Sequence, residues 1–333
     1  MELHLSELGD TAGPSPRTTV RHVEIHADEQ GQRLDNVVAR LLAGVPRSRI
    51  FRLIRRGEVR VNGRRAGPEK RLVAGDSVRL PPVREAAPGE AARSVPSAGL
   101  IAALESAVIY EDERLLVLDK PAGVAVHGGS GLSFGVIEEL RASRPKQTLE
   151  LAHRLDRDTS GVLMLAKRRS ALRMLHALLR EGQVQKSYLT LLAGRWSLGH
   201  KKIDAPLRTD LRVGGERTVK VDVGGKSALT EFKLIEHYGA RASLIEAMLH
   251  TGRTHQIRVH AAHCGHAVAG DEKYGDPPFN EQMASLGLKR MFLHAHSCSF
   301  AWPDETGEHS FNAPLPSALR AVLDKLSLRA AKR

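Results

Sequence analysis

At 333 residues, 41% of them apolar, the chain is long enough for a full core and for two domains, and its composition is that of a folded protein. Its two cysteines, Cys264 and Cys298, are too few for a disulfide framework, and the start "MELHLSELGDTAG" lacks both parts of a secretion signal. No apolar run nears the roughly 18 residues that a membrane helix needs, so a cytoplasmic protein without a membrane span is predicted.

Residues 1–18 mix Gly, Pro, Ser and Thr without period and read as a disordered leader. From Arg33 onward, Leu34, Val37, Val38, Leu41 and Leu42 recur at helical spacing and form one apolar face. A second helix is predicted from about Arg47 to Arg56, with Ile50, Leu53 and Ile54 inward and Gly57 as its stop. Its other face gathers Arg49, Arg52 and Arg56. Val59 and Val61 then alternate into Asn62-Gly63, a hairpin signal, and "GDSVRL" supplies another strand.

Charge concentrates in this region. The formal net charge is +12, and residues 31–84 hold fourteen Lys or Arg against four acids, a local excess of +10. Such a field points to a polyanion, either nucleic acid or an anionic membrane surface, with a solvated basic face as the bland alternative. Residues 19–84 are therefore predicted to be a small α/β-hairpin module. Its candidate polyanion contacts are Arg33, Arg47, Arg49, Arg52, Arg55, Arg56, Arg64 and Arg65.

Residues 85–106 are rich in Pro, Ala and Gly and read as a linker that ends in a short helix at "LIAALESA". From Ala107, strand-like runs ("AVIY", "LLVLD", "VLMLA", "SYLTLLA", "LTEFKLIE", "ASLIEAML") alternate with helical ones ("FGVIEELRAS", "SALRMLHALLREG", "HQIRVHAAHCG"). That pattern predicts an α+β domain with a large sheet over 107–325 and a basic tail over 326–333.

Three segments carry candidate chemistry. In "HRLDRDTSG", residues 153–161, Asp156 and Asp158 are flanked by Arg154 and Arg157, which favour the anionic form of both acids. A nucleophile or base, a charged turn capping a strand, and a metal site with His153 all remain open there, although two arginines oppose a cation. In "GRTHQIRVHAAHCGHAVAGDEKYG", residues 252–275, His255, His260, His263, His266 and Cys264 lack the spacing of a zinc site. Arg253 and Arg258 there suit a carboxylate or phosphate better. In "QKSYLTLLAG", Tyr188 lies in an apolar strand, where core packing alone would account for it.

"RLDNVVARLL…SRIFRLIRRGEVRVNG…GDSVRL" resembles the S4 RNA-binding domain over about fifty residues. "DKPAGVAVHGG", "HRLDRDTSGVLMLAK", "QKSYLTLLAG", "TGRTHQIRVHAAHCGHAVAGDEKYG" and "MFLHAHSCSFAWP" occur in the order found in pseudouridine synthases of the RluA/RluC/RluD group. Within that family, 153–275 is most similar to the C-type, large-subunit branch. The resemblance implies a catalytic domain on a large mixed, mainly antiparallel sheet flanked by helices. It also implies isomerisation of uridines in large-subunit ribosomal RNA, with no cofactor and no metal. Asp156 would be the essential aspartate, Arg258 its ion-pair partner, Tyr188 the active-site tyrosine, and Arg154 the residue that fills the place of the extruded base. A monomer is expected, with RNA and not a membrane as partner. Two rivals are a non-catalytic S4-domain assembly factor and a metal-dependent RNA hydrolase built on Asp156, Asp158 and His153.

Overall fold

The computed structural model describes residues 19–42, 45, 47–83, 97–128, 135–211 and 217–331; the expected leader over 1–18 lies outside them. They fall into two compact units, one within Met1–Arg93 and one within Ser94–Arg333.

In the first unit, β1 (Arg21–Glu24), α1 (Leu34–Leu41), α2 (Arg47–Arg55), β2 (Arg60–Val61), β3 (Arg64–Arg65) and β4 (Ser77–Leu80) follow in chain order. The strands form an antiparallel sheet in the order β1-β4-β2-β3. Leu34, Val37 and Val38 of α1 and Ile50, Leu53 and Ile54 of α2 bury their predicted faces against Val59, Val61, Leu72, Val78 and Leu80. At the hairpin tip, Asn62 and Gly63 both take positive φ, +50° and +74°, as a two-residue turn matched to strand twist requires. The Asn62 side chain ties the tip down, donating to Asp76 Oδ1 (2.7 Å) and accepting from Ser77 N (2.8 Å).

The second unit begins with α3 (Ala98–Ser106), β5 (Val108–Glu111), β6 (Leu115–Lys120), α4 (Val136–Ser143), β7 (Glu150–Leu151), β8 (Ser160–Ala166) and α5 (Arg169–Glu181). Next come β9 (Gln185–Ala193), β10 (Lys201–Asp204), β11 (Leu207–Leu211), β12 (Arg217–Val221), β13 (Leu229–Tyr238) and β14 (Ala242–Leu249). The unit closes with α6 (Gln256–His263), α7 (Pro277–Ser285), β15 (Leu293–Phe300), β16 (His309–Asn312) and α8 (Ser317–Ala331). Among the described residues the large sheet has ten strands, ordered β10-β13-β14-β9-β15-β8-β6-β5, with β16 on β15 and β7 on β8. Of these pairings only β15 with β8 is parallel. All seven residues of β8 are buried, which fits its near-continuous apolar sequence and a central place covered on both faces.

Helices cover both faces of the sheet. Leu163 and Leu165 of β8 pack in one core with Leu104 of α3, Val136 and Leu140 of α4 and Ile257 of α6. Val162, Met164 and Ala166 point the other way, into a core with Ala171, Leu175 and Leu178 of α5. Helices α7 and α8 cover Leu191 and Leu244. This is the α+β fold expected.

Two boundaries differ from the sequence pattern. Helix α3 starts at Ala98 and buries Leu104, so the end of the region read as linker is packed structure. Helix α8 runs unbroken to Ala331 with Leu326 buried, so residues 326–331 are helix and not tail. Apolar Leu326, hidden among basic neighbours in sequence, is what the helix buries. No helix among the described residues is long and apolar enough to cross a membrane.

Candidate active site

The Asp156 loop leads directly into β8 and is fixed from behind. Thr159 N donates to Asp156 O (3.1 Å), closing a turn. Gly161 follows with φ +108°, and a Cβ there would stand 2.1 Å from Ala295 O of β15, so only glycine fits. Lys120, at the end of β6 and fully buried, donates from Nζ to Pro121 O (2.8 Å), Val124 O (2.8 Å) and Arg157 O (3.1 Å). Burial pulls its ammonium down to about 7, while the nearby Asp158 and Asp156 carboxylates act in the other direction and the three carbonyls accept its hydrogen bonds. Gly123 N also donates to Arg157 O (2.9 Å). The segments "DKPAG" and "HRLDRD" are therefore stitched together through main-chain oxygens.

Behind β8, Arg290 Nη2 donates to Ser160 Oγ (2.9 Å), which donates to His294 Nδ1 (2.9 Å); His294 Nε2 donates to Ala313 O (3.1 Å). This chain keeps His294 neutral, and its burial lowers the imidazole to about 4. His153 is likewise held neutral by burial, at about 3, and its Nε2 accepts from Met164 N (3.0 Å). That nitrogen is thereby committed to the fold and is not aimed at Asp156 and Asp158.

From the far side, α6 brings Arg258 to Asp156, 102 positions away in the chain: Nη1 lies 3.4 Å from Oδ2. The shorter contacts of Arg258 go elsewhere. Its Nε and Nη2 form a two-pronged pair with Asp271 Oδ2 and Oδ1, both at 2.7 Å. Its guanidinium also lies over the Tyr274 ring, 5.0 Å from the centroid. Asp271 is fully buried and accepts from Lys273 N (2.9 Å) and Tyr274 N (3.0 Å) as well. Burial pushes its carboxyl up, but Arg258 and those amides outweigh that and leave it below the usual range. The expected Arg258–Asp156 pair is thus the longer arm of an Asp156–Arg258–Asp271 relay.

His255 heads α6 in a left-handed conformation, φ +55°, which turns its ring into the site. Tyr274 Oη accepts from Val219 N (2.9 Å) and is free to donate to His255 Nδ1 (2.9 Å). That places the ring proton on Nε2, the atom 3.8 Å from Asp156 Oδ2. Burial foremost lowers the His255 pKa, so the ring is neutral near pH 7. Nothing in the sequence singles out Asp271, Tyr274 or Lys120, and His255 stands out there only as a zinc ligand of the wrong spacing, although the quoted segments contain all four. No local spacing marks them, because their partners lie on other elements.

Tyr188 of β9 completes the wall. It is 7% exposed, and burial lifts its phenol well above the ordinary value, so it stays protonated. Tyr188, Leu249, Ile257 and Leu293 give an apolar lining to a cleft of about 330 Å³ that also contains Asp156, Arg154 and Arg258, the size range of small-ligand pockets. A second cleft, of about 610 Å³, lies on the other side of the loop and is faced by Arg157, Lys273, Lys289 and Arg290. Exposed Arg154 and half-buried Asp156 line both clefts, as do Leu155, His255 and Arg258.

Of the remaining histidines of the second segment, His263 is exposed, whereas His260 and His266 serve the fold. His260 bonds Thr230 Oγ1 and Ala205 O (2.9 Å each), and His266 bonds Ala193 O (2.8 Å). Among the described residues no group of three or more His, Cys, Asp or Glu is placed to hold a metal ion.

In the first unit, Arg49, Arg52, Arg55, Arg56, Arg64 and Arg65 are exposed. The Arg47 side chain lies outside the described residues. Arg33 differs from the others: it is half-buried, bonded to Asp35 (2.8 Å) and near Glu69 (3.4 Å), so its charge is used within the unit.

The model of the RNA pseudouridylate synthase family matches residues 114–263, and that of the S4 domain matches 32–78. The ribosomal large subunit pseudouridine synthase C of Escherichia coli (strain K12) is 52% identical over 311 residues, 92% of this chain and 97% of that protein. The protein of the same name from Haemophilus influenzae is 51% identical over 310 residues, 93% of this chain and 96% of its own. The solved structure of human RNA pseudouridylate synthase domain containing 1 superposes with a TM-score of 0.54 at 27% identity, covering 68% of this chain and 95% of that one.

Proposed function

The chain belongs to the RNA pseudouridylate synthase family, and from that premise we propose that it converts specific uridines of large-subunit ribosomal RNA to pseudouridine, with Asp156, Arg258 and Tyr188 as the catalytic set. The observation that supports these roles best is the meeting of Asp156 and Arg258, at 3.4 Å, at the edge of a cleft walled by Tyr188. The substrate assignment follows the relatives of that name, and the S4 domain match supports RNA as the partner.

The reaction breaks the bond from N1 to C1′, turns the uracil, and joins C5 to C1′; the C5 hydrogen leaves as a proton and N1 gains one. Substrate and product are isomers, so nothing is oxidised or transferred to a second molecule. Asp156 supplies the carboxylate that assists this exchange. Arg258, aimed by Asp271, holds one carboxylate oxygen, Oδ2, of Asp156. Tyr188, neutral and apolar-faced, is a surface for the base to stack on and a hydroxyl donor, not a phenolate base.

Reaching this cleft requires the uridine to leave its stack, at a cost of a few kcal/mol. Arg154, exposed and lining both clefts, would fill the vacated position, which fits its exposure beside Asp156. The exposed arginines of α2 and β3 add phosphate affinity without sequence preference. In this reading the protein acts in the cytoplasm as a monomer.

RNA labelled with tritium at uridine C5 tests the proposal. Joining C5 to C1′ expels that hydrogen, so large-subunit ribosomal RNA should release tritium to water at unchanged chain length. No release would defeat the enzymatic reading in favour of a binding protein, and strand cleavage would favour a hydrolase.

A further inference from the structure

Lys186 stands two residues before Tyr188 on β9 and so shares its face of the sheet. Its side chain lines the same cleft as Tyr188 and Asp156 and is half-buried there. Among the described residues it has no acid within 4.0 Å and its ammonium makes no hydrogen bond. Its neighbours offer no charge. Cys298, opposite it in the ladder, is a thiol pushed up to about 12, and His153 is neutral. Gly252 leaves one side open: a Cβ at that position would lie 3.7 Å from Nζ. Burial lowers the Lys186 pKa, which reflects the cost of a cation that no acid among the described residues compensates.

The other enclosed cations around the Asp156 loop are treated differently. Arg258 is matched by Asp271 and Asp156, and Lys120 by three carbonyls. An uncompensated ammonium in a half-apolar cleft is suited to an anion. Uracil and ribose are neutral, so the anions a uridine in RNA brings are its flanking phosphates. We infer that Lys186 is a substrate-binding residue whose ammonium takes a phosphate next to the uridine held in the cleft. This rests on the reading of the cleft as the uridine site.

Two readouts on the full chain keep the inference separate from that reading. In the first, binding of a fluorescein-labelled single-stranded oligouridylate is followed by anisotropy over a series of KCl concentrations. Lys186→Met should weaken binding and flatten the slope of log K against log salt by about 0.7, the loss of one phosphate contact, while Lys186→Arg should keep the wild-type slope. In the second, tritium release from large-subunit ribosomal RNA should show KM raised about tenfold in Lys186→Met, with kcat changed less than about threefold.

An unchanged salt slope in the Met variant overturns the inference whether or not the wild-type chain releases tritium. A loss of kcat at unchanged KM and slope also overturns it, marking a contact to uracil or a packing role. Absence of release by the wild-type chain would instead defeat the assignment of the cleft, and the binding slope would still decide the phosphate contact.

Discussion

The two units use cations in opposite ways. On the first, Arg49, Arg52 and Arg55 stand exposed on one helix with Arg56 just past its end, where solvent screens them and a phosphate can displace counterions. In the second, Arg258 and Lys120 are enclosed, Arg258 held by two carboxylates and Lys120 by three carbonyls of the protein. Exposed charge attracts a polyanion from many directions; enclosed charge fixes one carboxylate in one place. The comparison predicts that damage to one set should leave the function of the other nearly intact.

The largest effect is expected from Asp156→Ala. Tritium release should fall below detection, while RNA affinity and its salt slope stay within about twofold of wild type. Release at an ordinary rate would remove Asp156 from the chemistry, and a collapse of RNA binding would blur the division between the units. Next is Asp271→Asn, which removes the charge and one of the two acceptors that aim buried Arg258. Here kcat should drop on the order of 100-fold and urea unfolding should report a loss of about 3 kcal/mol; wild-type kcat would show that Asp271 does not aim Arg258.

Replacing Arg49, Arg52 and Arg56 together by Ala should weaken RNA binding on the order of tenfold and lower the salt slope by about 2. In this variant kcat at saturating RNA should be unchanged, and an unaltered slope would mean that these exposed cations do not meet phosphate. The smallest effect is one of pH on the enclosed network. His294 titrates near 4 in the fold against about 6.5 when unfolded, so the unfolded chain binds more protons between those values. Stability should therefore be full above pH 6.5 and fall by about 3 kcal/mol as pH drops to 4, with this contribution flat below. Urea melts of wild type and His294→Gln should differ in that slope, and parallel curves would refute the assignment.

Local chemistry made part of this legible in sequence. The hairpin at Asn62-Gly63 and α2, whose arginine face is set by a period of 3.6, need only neighbours in the chain. The candidate residues Asp156, Tyr188 and Arg258 were visible through motifs, and the fold does bring them to one cleft. What escaped is non-local. The insertion of β15 between β9 and β8 depends on a pairing across more than a hundred residues, visible locally only as Gly161 in "TSG". The choice of Arg258 between two carboxylates is likewise decided by how α6 sits over the loop before α7. Spacing sets the histidines of the second segment aside as zinc ligands, but the carbonyls that His260 and His266 bond instead, Ala205 O and Ala193 O, lie on distant elements and cannot be read locally.

The three carbonyls gathered by Lys120 have a thermodynamic consequence for RNA recognition. A loop bound at Arg157 O to the end of β6 has given up its conformational entropy during folding, before any RNA arrives. Association then carries no ordering penalty for the residues around Asp156. More of the affinity drawn from phosphates is left to offset the unstacking of a uridine.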